Sequence, residues 1–537
     1  MRHEKRFLTR TLMASLVAVG LSGFGAEPVR AQTPGASQGP VRHLTIDEAV
    51  TLALEQNLDL QVERINPQVQ DVSISLARTG WVPTFQSTLQ NQTQNSPSDS
   101  FLAGSDAKIT DERLTTNFGV GQLLPWGGSY NVSWNSGRAE TNNEFSTFNP
   151  RLSSTFAFNY TQPLLRNFSI DNTRQQILVT RKNREISEVQ LQQVIAVTTR
   201  NVKNAYWDLV YANSNLDVQN QSLRLAEQSL KDNRARVEVG TMAPIDIVQA
   251  EAEVAQREEG VILAEAAIQR AEDRLRALIS NPSAPDFWSM RIEPADEATF
   301  VPVIVDVDAA VRGALDQRTD LEQSRKRIES NDVSIRYFRN QSLPDVNAQV
   351  NYSAIGLGGT QLQFGPGFPP QVVGQSQRSF GSVLGDAFGN AFPTWSFALQ
   401  VSYPIGTSNA DANLARARLQ NQQAQKQLES QELTVATQIR DFARSVQTNS
   451  KRVEATRASR SLAERRLEAE EKKFQAGMTT SFLVFQAQRD LNQARNNELQ
   501  ALIDYLKSVV DYETAQRAPI GGAGGVTAVQ AGGQQQQ

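Results

Sequence analysis

At 537 residues the chain is long enough for several domains, yet only 39% of it is hydrophobic, and Gln, Asn, Ala, Arg and Glu dominate long stretches. That balance suits long amphipathic helices with narrow apolar seams better than a conventional globular core. Having no cysteine and only two histidines, His3 and His43, it lacks thiol nucleophiles, cysteine-rich metal centres and histidine-based triads, and a formal charge of −4 does not suit a nucleic-acid binder.

Residues 1–31 begin with Arg2, Lys5, Arg6 and Arg10, continue with an apolar run from Leu12 to Phe24, and end in Val29-Arg30-Ala31. This is the pattern of a secretory signal peptide cleaved after Ala31, and its apolar run is too short to cross a bilayer. Its removal, with five Arg/Lys and two Glu, takes the net charge from −4 to about −7, and no later apolar run is long enough for a transmembrane helix. A flexible lead-in over residues 32–44 carries His43, which is incidental there. A helical pattern then runs from Ile46 to Trp81, and Phe85 and Leu89 alternate weakly with polar neighbours, as in a strand.

The insert over residues 96–152 alternates again, at Phe118 and Val120 and then at Tyr130, Val132 and Trp134, around Pro125-Trp126-Gly127-Gly128. It has two readings, a hairpin outside the membrane or further wall, and the lack of a counterpart in the second half favours the external hairpin. Beyond it Phe156, Phe158 and Tyr160 alternate with Ala157, Asn159 and Thr161, a strand with one aromatic face.

From Ile170 to Glu238 the chain reads as one helix of roughly 100 Å at 1.5 Å per residue. Ile195, Val202, Leu209, Leu216, Leu223, Leu230 and Val237 recur every seven residues, and Ala205, Ala212 and Ala226 supply the second seam position. Gly240 interrupts this pattern, which resumes at Ile247, Val254, Val261, Ile268 and Leu275. A sustained seven-residue period means supercoiled packing, here an antiparallel hairpin turning at the glycine.

The second half repeats the plan. Ile46–Pro83 aligns without gaps on Val307–Pro344, both carrying A-V-x-x-A-L-x-Q-x-x-D-L and then D-V-S-I. TFAFNYTQPL, from Thr155, matches SFALQVSYPI, from Ser396, and the break at Gly240 is echoed at Gly477. Val346, Ala348, Val350 and Tyr352 form one strand face, and Trp395, Phe397, Leu399, Val401 and Tyr403 another. Ala410–Phe474 is the second long helix, with Ile439, Val446, Val453, Leu467 and Phe474 in its seam and Arg460 as the one interruption.

The repeat units are residues 45–303 and 304–517, each running helix, strand, loop, strand, helical hairpin, and residues 518–537 form a disordered Gly/Gln-rich tail. Four membrane strands per chain cannot close around a lumen, and open edges are not tolerated in lipid, so several chains must share one barrel. A periplasmic or surface structural coiled-coil protein is the rival reading, which explains the seams but not the duplicated aromatic strands. A secreted carboxylate enzyme explains neither.

The duplicated A-V-x-x-A-L starts, the strand ends T-Q-P-L and S-Y-P-I, and the turns V-G-T-M-A-P-I-D-I-V-Q-A and A-G-M-T-T-S-F-L-V-F-Q-A together resemble the outer-membrane efflux protein (TolC) family. The resemblance covers essentially all of the mature chain. It implies a mainly α fold with β: long antiparallel coiled-coil helices forming a periplasmic α-barrel plus a transmembrane β-barrel, assembled from four strands per protomer into twelve in a homotrimer. It also implies an equatorial domain, here Asn281–Pro302 with the chain ends.

In function the resemblance implies an outer-membrane exit duct of a tripartite efflux pump or type I secretion system. Such a duct passively conducts small molecules or polypeptide, with a periplasmic adaptor protein, an inner-membrane transporter and outer-membrane lipid as partners. No enzyme activity, cofactor or metal is implied. The tips that meet the adaptor are Val239, Gly240 and Thr241 in one hairpin and Ala476, Gly477 and Met478 in the other. Where the best-known member has two acidic residues beyond the second tip, this chain has Leu483 and Gln486, with Asp246 after the first tip, as entrance-gate candidates.

Overall fold

The seven-residue seams fold as two helices of 67 residues each, and the remaining elements are arranged along them. The computed structural model describes residues 41–97, 108–143, 145–281, 287–288, 290–367, 371–406 and 408–520. The signal peptide and the tail beyond Ile520 lie outside these residues. Chain order begins with β1 (Val41–Leu44), α1 (Ile46–Gln56), α2 (Leu58–Arg78), β2 (Thr84–Pro97), β3 (Lys108–Leu123), β4 (Ser129–Thr141) and β5 (Phe148–Pro163). The long α3 (Asn172–Glu238) and its return α4 (Ile245–Ile279) follow, then β6 (Arg291–Pro294). The second half contains α5 (Val307–Gln317), α6 (Thr319–Gln341), β7 (Asp345–Phe364), β8 (Val372–Arg378), α7 (Phe380–Phe388), β9 (Pro393–Ser402), α8 (Asn409–Gln475) and α9 (Ser481–Ala515).

Each half opens with two helices where the sequence suggested one. The first break is at Asn57, whose side chain accepts from Leu60 N–H at 3.0 Å and donates to the Leu278 carbonyl at 3.1 Å, so it caps α2 while tying it to α4. Its counterpart Arg318 is 1% exposed and reaches Asp320 at 3.0 Å, the Ala515 carbonyl at 3.3 Å and Gln438 at 2.8 Å. A capping box of Thr45 and Glu48 starts α1, and Asp306 caps α5 at the equivalent position.

The helices pack as two antiparallel hairpins, α3 with α4 and α8 with α9, and α3 also packs against α9 and α6. Val202, Leu209, Ile439, Val446 and Val453 of the predicted seams are buried, as are the small Ala205, Ala212 and Ala226. Arg460, the interruption, is balanced by ion pairs to Glu464 and Glu498.

At mid-length an extended segment crosses the helices. Val41–Leu44, the end of the stretch expected to be a flexible lead-in, is instead a strand paired in parallel with β6, Leu44 opposite Pro294. Buried tyrosines hold this layer down: the Tyr206 hydroxyl lies 3.0 Å from the Leu44 carbonyl and 2.9 Å from the Asp296 carboxylate, and the Tyr505 hydroxyl donates to the Val301 carbonyl at 2.7 Å.

The sheet corrects the strand count. It holds seven strands among the described residues, in the order β2-β3-β4-β5-β7-β8 with β9 also on β7, rather than four. The insert expected to be an external hairpin supplies β3 and β4, which pair along their lengths with β2, with each other and with β5. The register explains this. Phe85 faces Val120, Ser87 faces Phe118, Phe118 faces Trp134 and Trp134 faces Phe156, so the insert continues one aromatic face, with Phe118 stacked on Trp134 at 5.5 Å. The opposite face carries mostly Gln, Asn, Ser, Thr and Gly from β2 through β9, with a few charged residues. Such a division, apolar outside and polar within, is that of a membrane barrel wall.

Candidate functional site

The two helical turns expected to be functional have the same backbone. Gly240 has φ +77° and donates to the Val237 carbonyl at 2.9 Å, while Thr241 donates to the Arg236 carbonyl at 2.9 Å. Gly477 has φ +74°, with Gly477 donating to Phe474 at 3.0 Å and Met478 to Lys473 at 2.8 Å. Both are Schellman caps, in which a left-handed residue lets the chain satisfy the last carbonyls of a helix and reverse. A Cβ on either glycine would meet nothing within 4 Å, so the backbone conformation, not crowding, calls for glycine. Val239 and Met478 are 72% and 78% exposed, so the tips present apolar side chains to their surroundings.

The structure brings the tips of one protomer together. Asp246, in the first turn of α4, accepts from the Ser481 hydroxyl at the start of α9 at 2.9 Å, so this gate candidate is tied to the other hairpin. Gln486 is half-buried and Leu483 is 42% exposed. Arg236 lies over the Phe474 ring at 4.5 Å, a cation–π contact between α3 and α8.

Two turns further up α4 is a contact not anticipated from the sequence. Glu253, 6% exposed, pairs with Arg257 on its own helix and with Arg489 of α9 at 3.1 Å. The i,i+4 spacing of Glu253 and Arg257 was visible, but the cross-hairpin partner depends on tertiary packing.

A second set of features is defined by missing neighbours. Leu58, Val62, Ile65, Val69, Val72 and Leu76 of α2 alternate three and four residues apart and are 51–69% exposed. The matching face of α6 is covered by α3: Gln323 donates to Gln193 at 2.8 Å and Lys326 pairs with Glu185 at 2.9 Å. In the sheet, β5 of the first half pairs with β7 of the second, whereas β2 on one side and β9 with the short β8 on the other are left as open edges. The α3–α6 and β5–β7 contacts between the halves therefore have equivalent positions, on α2 and on the β2 and β9 edges, that this chain alone leaves uncovered. No helix among the described residues is long and apolar enough to cross a membrane, and no group of His, Asp or Glu among them could hold a metal ion.

Comparison with known proteins agrees with this geometry. The family model described as outer membrane efflux protein matches residues 49–281 and 310–515. Comparison with curated proteins found no match. Among solved structures, CusC superposes with a TM-score of 0.60 at 15% identity over 91% of this chain and 96% of that chain. The CmeC outer membrane channel of Campylobacter jejuni gives 0.61 at 15% identity over 88% of this chain and 85% of its own. The open-state MtrE outer membrane channel of Neisseria gonorrhoeae gives 0.59 at 16% over 88% and 89%.

The fold is that of these channels, antiparallel coiled-coil helices of an α-barrel continuing into the strands of a transmembrane β-barrel. With matches across both of its repeats, the chain belongs to the outer membrane efflux protein family.

Proposed function

We propose that this protein is the outer-membrane exit duct of an envelope-spanning pump, of the tripartite efflux or type I secretion kind, working as a homotrimer that conducts its cargo passively. The observation that carries the reading is the set of uncovered faces. By the internal repeat, the apolar stripe of α2 stands where α6 meets α3, so its occupant is α8 of a neighbouring copy. The edge of β2 stands likewise toward β9 of that copy, as β7 stands toward β5. Unpaired edges and a six-residue apolar stripe are costly in isolation and are covered at once by one rotation.

In this reading the helices extend into the periplasm and the polar face of the sheet lines the lumen. Six strands, β2 to β5 with β7 and β9, run through the wall, so three copies close eighteen strands instead of the twelve implied by four per chain. Barrels of this size hold an aqueous channel. The glycine tips, with Val239 and Met478 outward, are the docking surface for a periplasmic adaptor, and an inner-membrane transporter supplies the energy. Asp246, Leu483 and Gln486 line the entrance, with Asp246 held by Ser481.

The test is the native mass of the protein extracted from outer membranes in mild detergent, corrected for bound detergent. Three chains are expected. A monomer that stays in solution without detergent would overturn the duct and favour a structural coiled-coil protein.

A further inference from the structure

The polar face of the sheet is not uniformly neutral. Nearer the helices it carries mostly small polar and amide side chains, such as Gln90, Thr115, Asn135, Ser153 and Asn351, with Asp345 at the end of β7 next to the helices. Toward the helix-distal end one row differs: Gln92 faces Arg113, Arg113 faces Ala139, Ala139 faces Arg151 and Arg151 faces Gly359. Directly opposed residues share a face, so both guanidinium groups project to the polar side, two strands and roughly 10 Å apart at ordinary strand spacing. Between them stands Ala139, whose methyl group leaves a hollow walled by the two arginines, Gln90 and Ser153.

Both arginines are exposed, and neither forms a hydrogen bond or ion pair within the protein among the described residues. Arg138, beside Ala139 on β4 but on the opposite face, is by contrast neutralised by Glu140. On the polar face of β2 to β5 the one acidic residue is Asp111, one row further from the helices and opposite Thr141, while Asp345 of β7 lies at the far, helix-proximal end. Two guanidinium groups that border one hollow with no partner of their own leave their donors free for an anion there, and planar guanidinium forks match carboxylate and phosphate oxygens.

We infer that Arg113 and Arg151 form an anion-binding girdle at the outer mouth of the lumen, through which carboxylate- or phosphate-bearing permeants are drawn. This rests on the duct reading, since only a closed wall turns the polar face into a lumen. Charged rings of this kind set the selectivity of pores, and lumen-facing substitutions change selectivity while sparing the fold.

The experiment reconstitutes the full-length protein in planar bilayers under a potassium chloride gradient and reads the reversal potential, with and without tripolyphosphate on the outer side. The double variant Arg113→Ala/Arg151→Ala is expected to lower the chloride-to-potassium permeability ratio by about twofold or more and to lose block by tripolyphosphate. Arg113→Lys/Arg151→Lys is expected to keep the permeability ratio and weaken the block, because an ammonium lacks the fork. Pores with unchanged ratio and block in the alanine variant overturn the girdle alone. Failure of the wild-type protein to form conducting pores overturns the duct itself.

Discussion

At the scale of single residues, the buried tyrosine of the mid-rod layer shows how one hydroxyl anchors a strand. Burial pushes the Tyr206 hydroxyl up to about 12, from an ordinary value of 10, with the Asp296 backbone N–H opposing the rise and the Asp296 carboxylate adding to it. The folded chain therefore holds this proton more tightly than the unfolded chain, so the stability it contributes is complete below pH 10 and is lost as pH rises through about 12. Tyr206→Phe is expected to cost about 1–2 kcal/mol near neutral pH, by leaving the Asp296 backbone N–H without the hydroxyl it donates to. Thermal denaturation in detergent should show the wild-type advantage shrinking between pH 10 and 12, and a constant gap across that range would refute the account. At the tips, Gly240→Trp with Gly477→Trp should abolish adaptor pull-down while leaving the native mass unchanged; undiminished capture would move the docking surface elsewhere. These glycines were legible in the sequence because a lone glycine between two seven-residue patterns has one physical use. Ser481 and Arg489 were not, because their partners lie 235 and 236 residues away.

At the scale of elements, the β3–β4 hairpin is the chief departure from the duplicated plan. The alternation of Phe118 and Val120 and of Val132 and Trp134 was visible, but alternation cannot say whether a hairpin stands in a wall or above it. Pairing decides: β2 and β5 touch only through the inserted pair. Because an even number of strands was added, β2 and β5 remain antiparallel, as β7 and β9 are in direct contact. Excising residues 98–143 with a short turn in their place should thus allow β2 to pair with β5 directly. The shortened protein is expected to assemble with four wall strands per chain and to show a lower single-channel conductance than the parent in planar bilayers. An unchanged conductance would mean that the hairpin does not belong to the pore wall. The break between α1 and α2 was missed for a related reason: the apolar spacing runs on through Asn57, which caps α2 through Leu60 N–H and is fixed in that role by its bond to the Leu278 carbonyl of α4.

At the scale of the whole molecule, the proposed duct predicts an entrance held by contacts between the two hairpins. Asp246 with Ser481 and Glu253 with Arg489 join them near the tips, and in that reading each is a polar contact that opening must break. At about 1 kcal/mol per contact, removing one shifts the open-to-closed ratio by about fivefold. Asp246→Ala combined with Arg489→Ala should raise conductance in bilayers more than either change alone, with the native mass unaltered. Equal conductance in all forms would place the gate outside these contacts.

The sequence by itself determined the duplication, the long seams, the glycine turns and the aromatic strand faces, because each is set by local periodicity and backbone preference. Family and general fold followed from their order. Tertiary structure decided how many strands share the sheet, which arginines stand in one row and which helix faces are left uncovered. These are matters of register and of neighbours far apart in the chain, and a period of two or seven residues carries no information about which distant segment lies alongside.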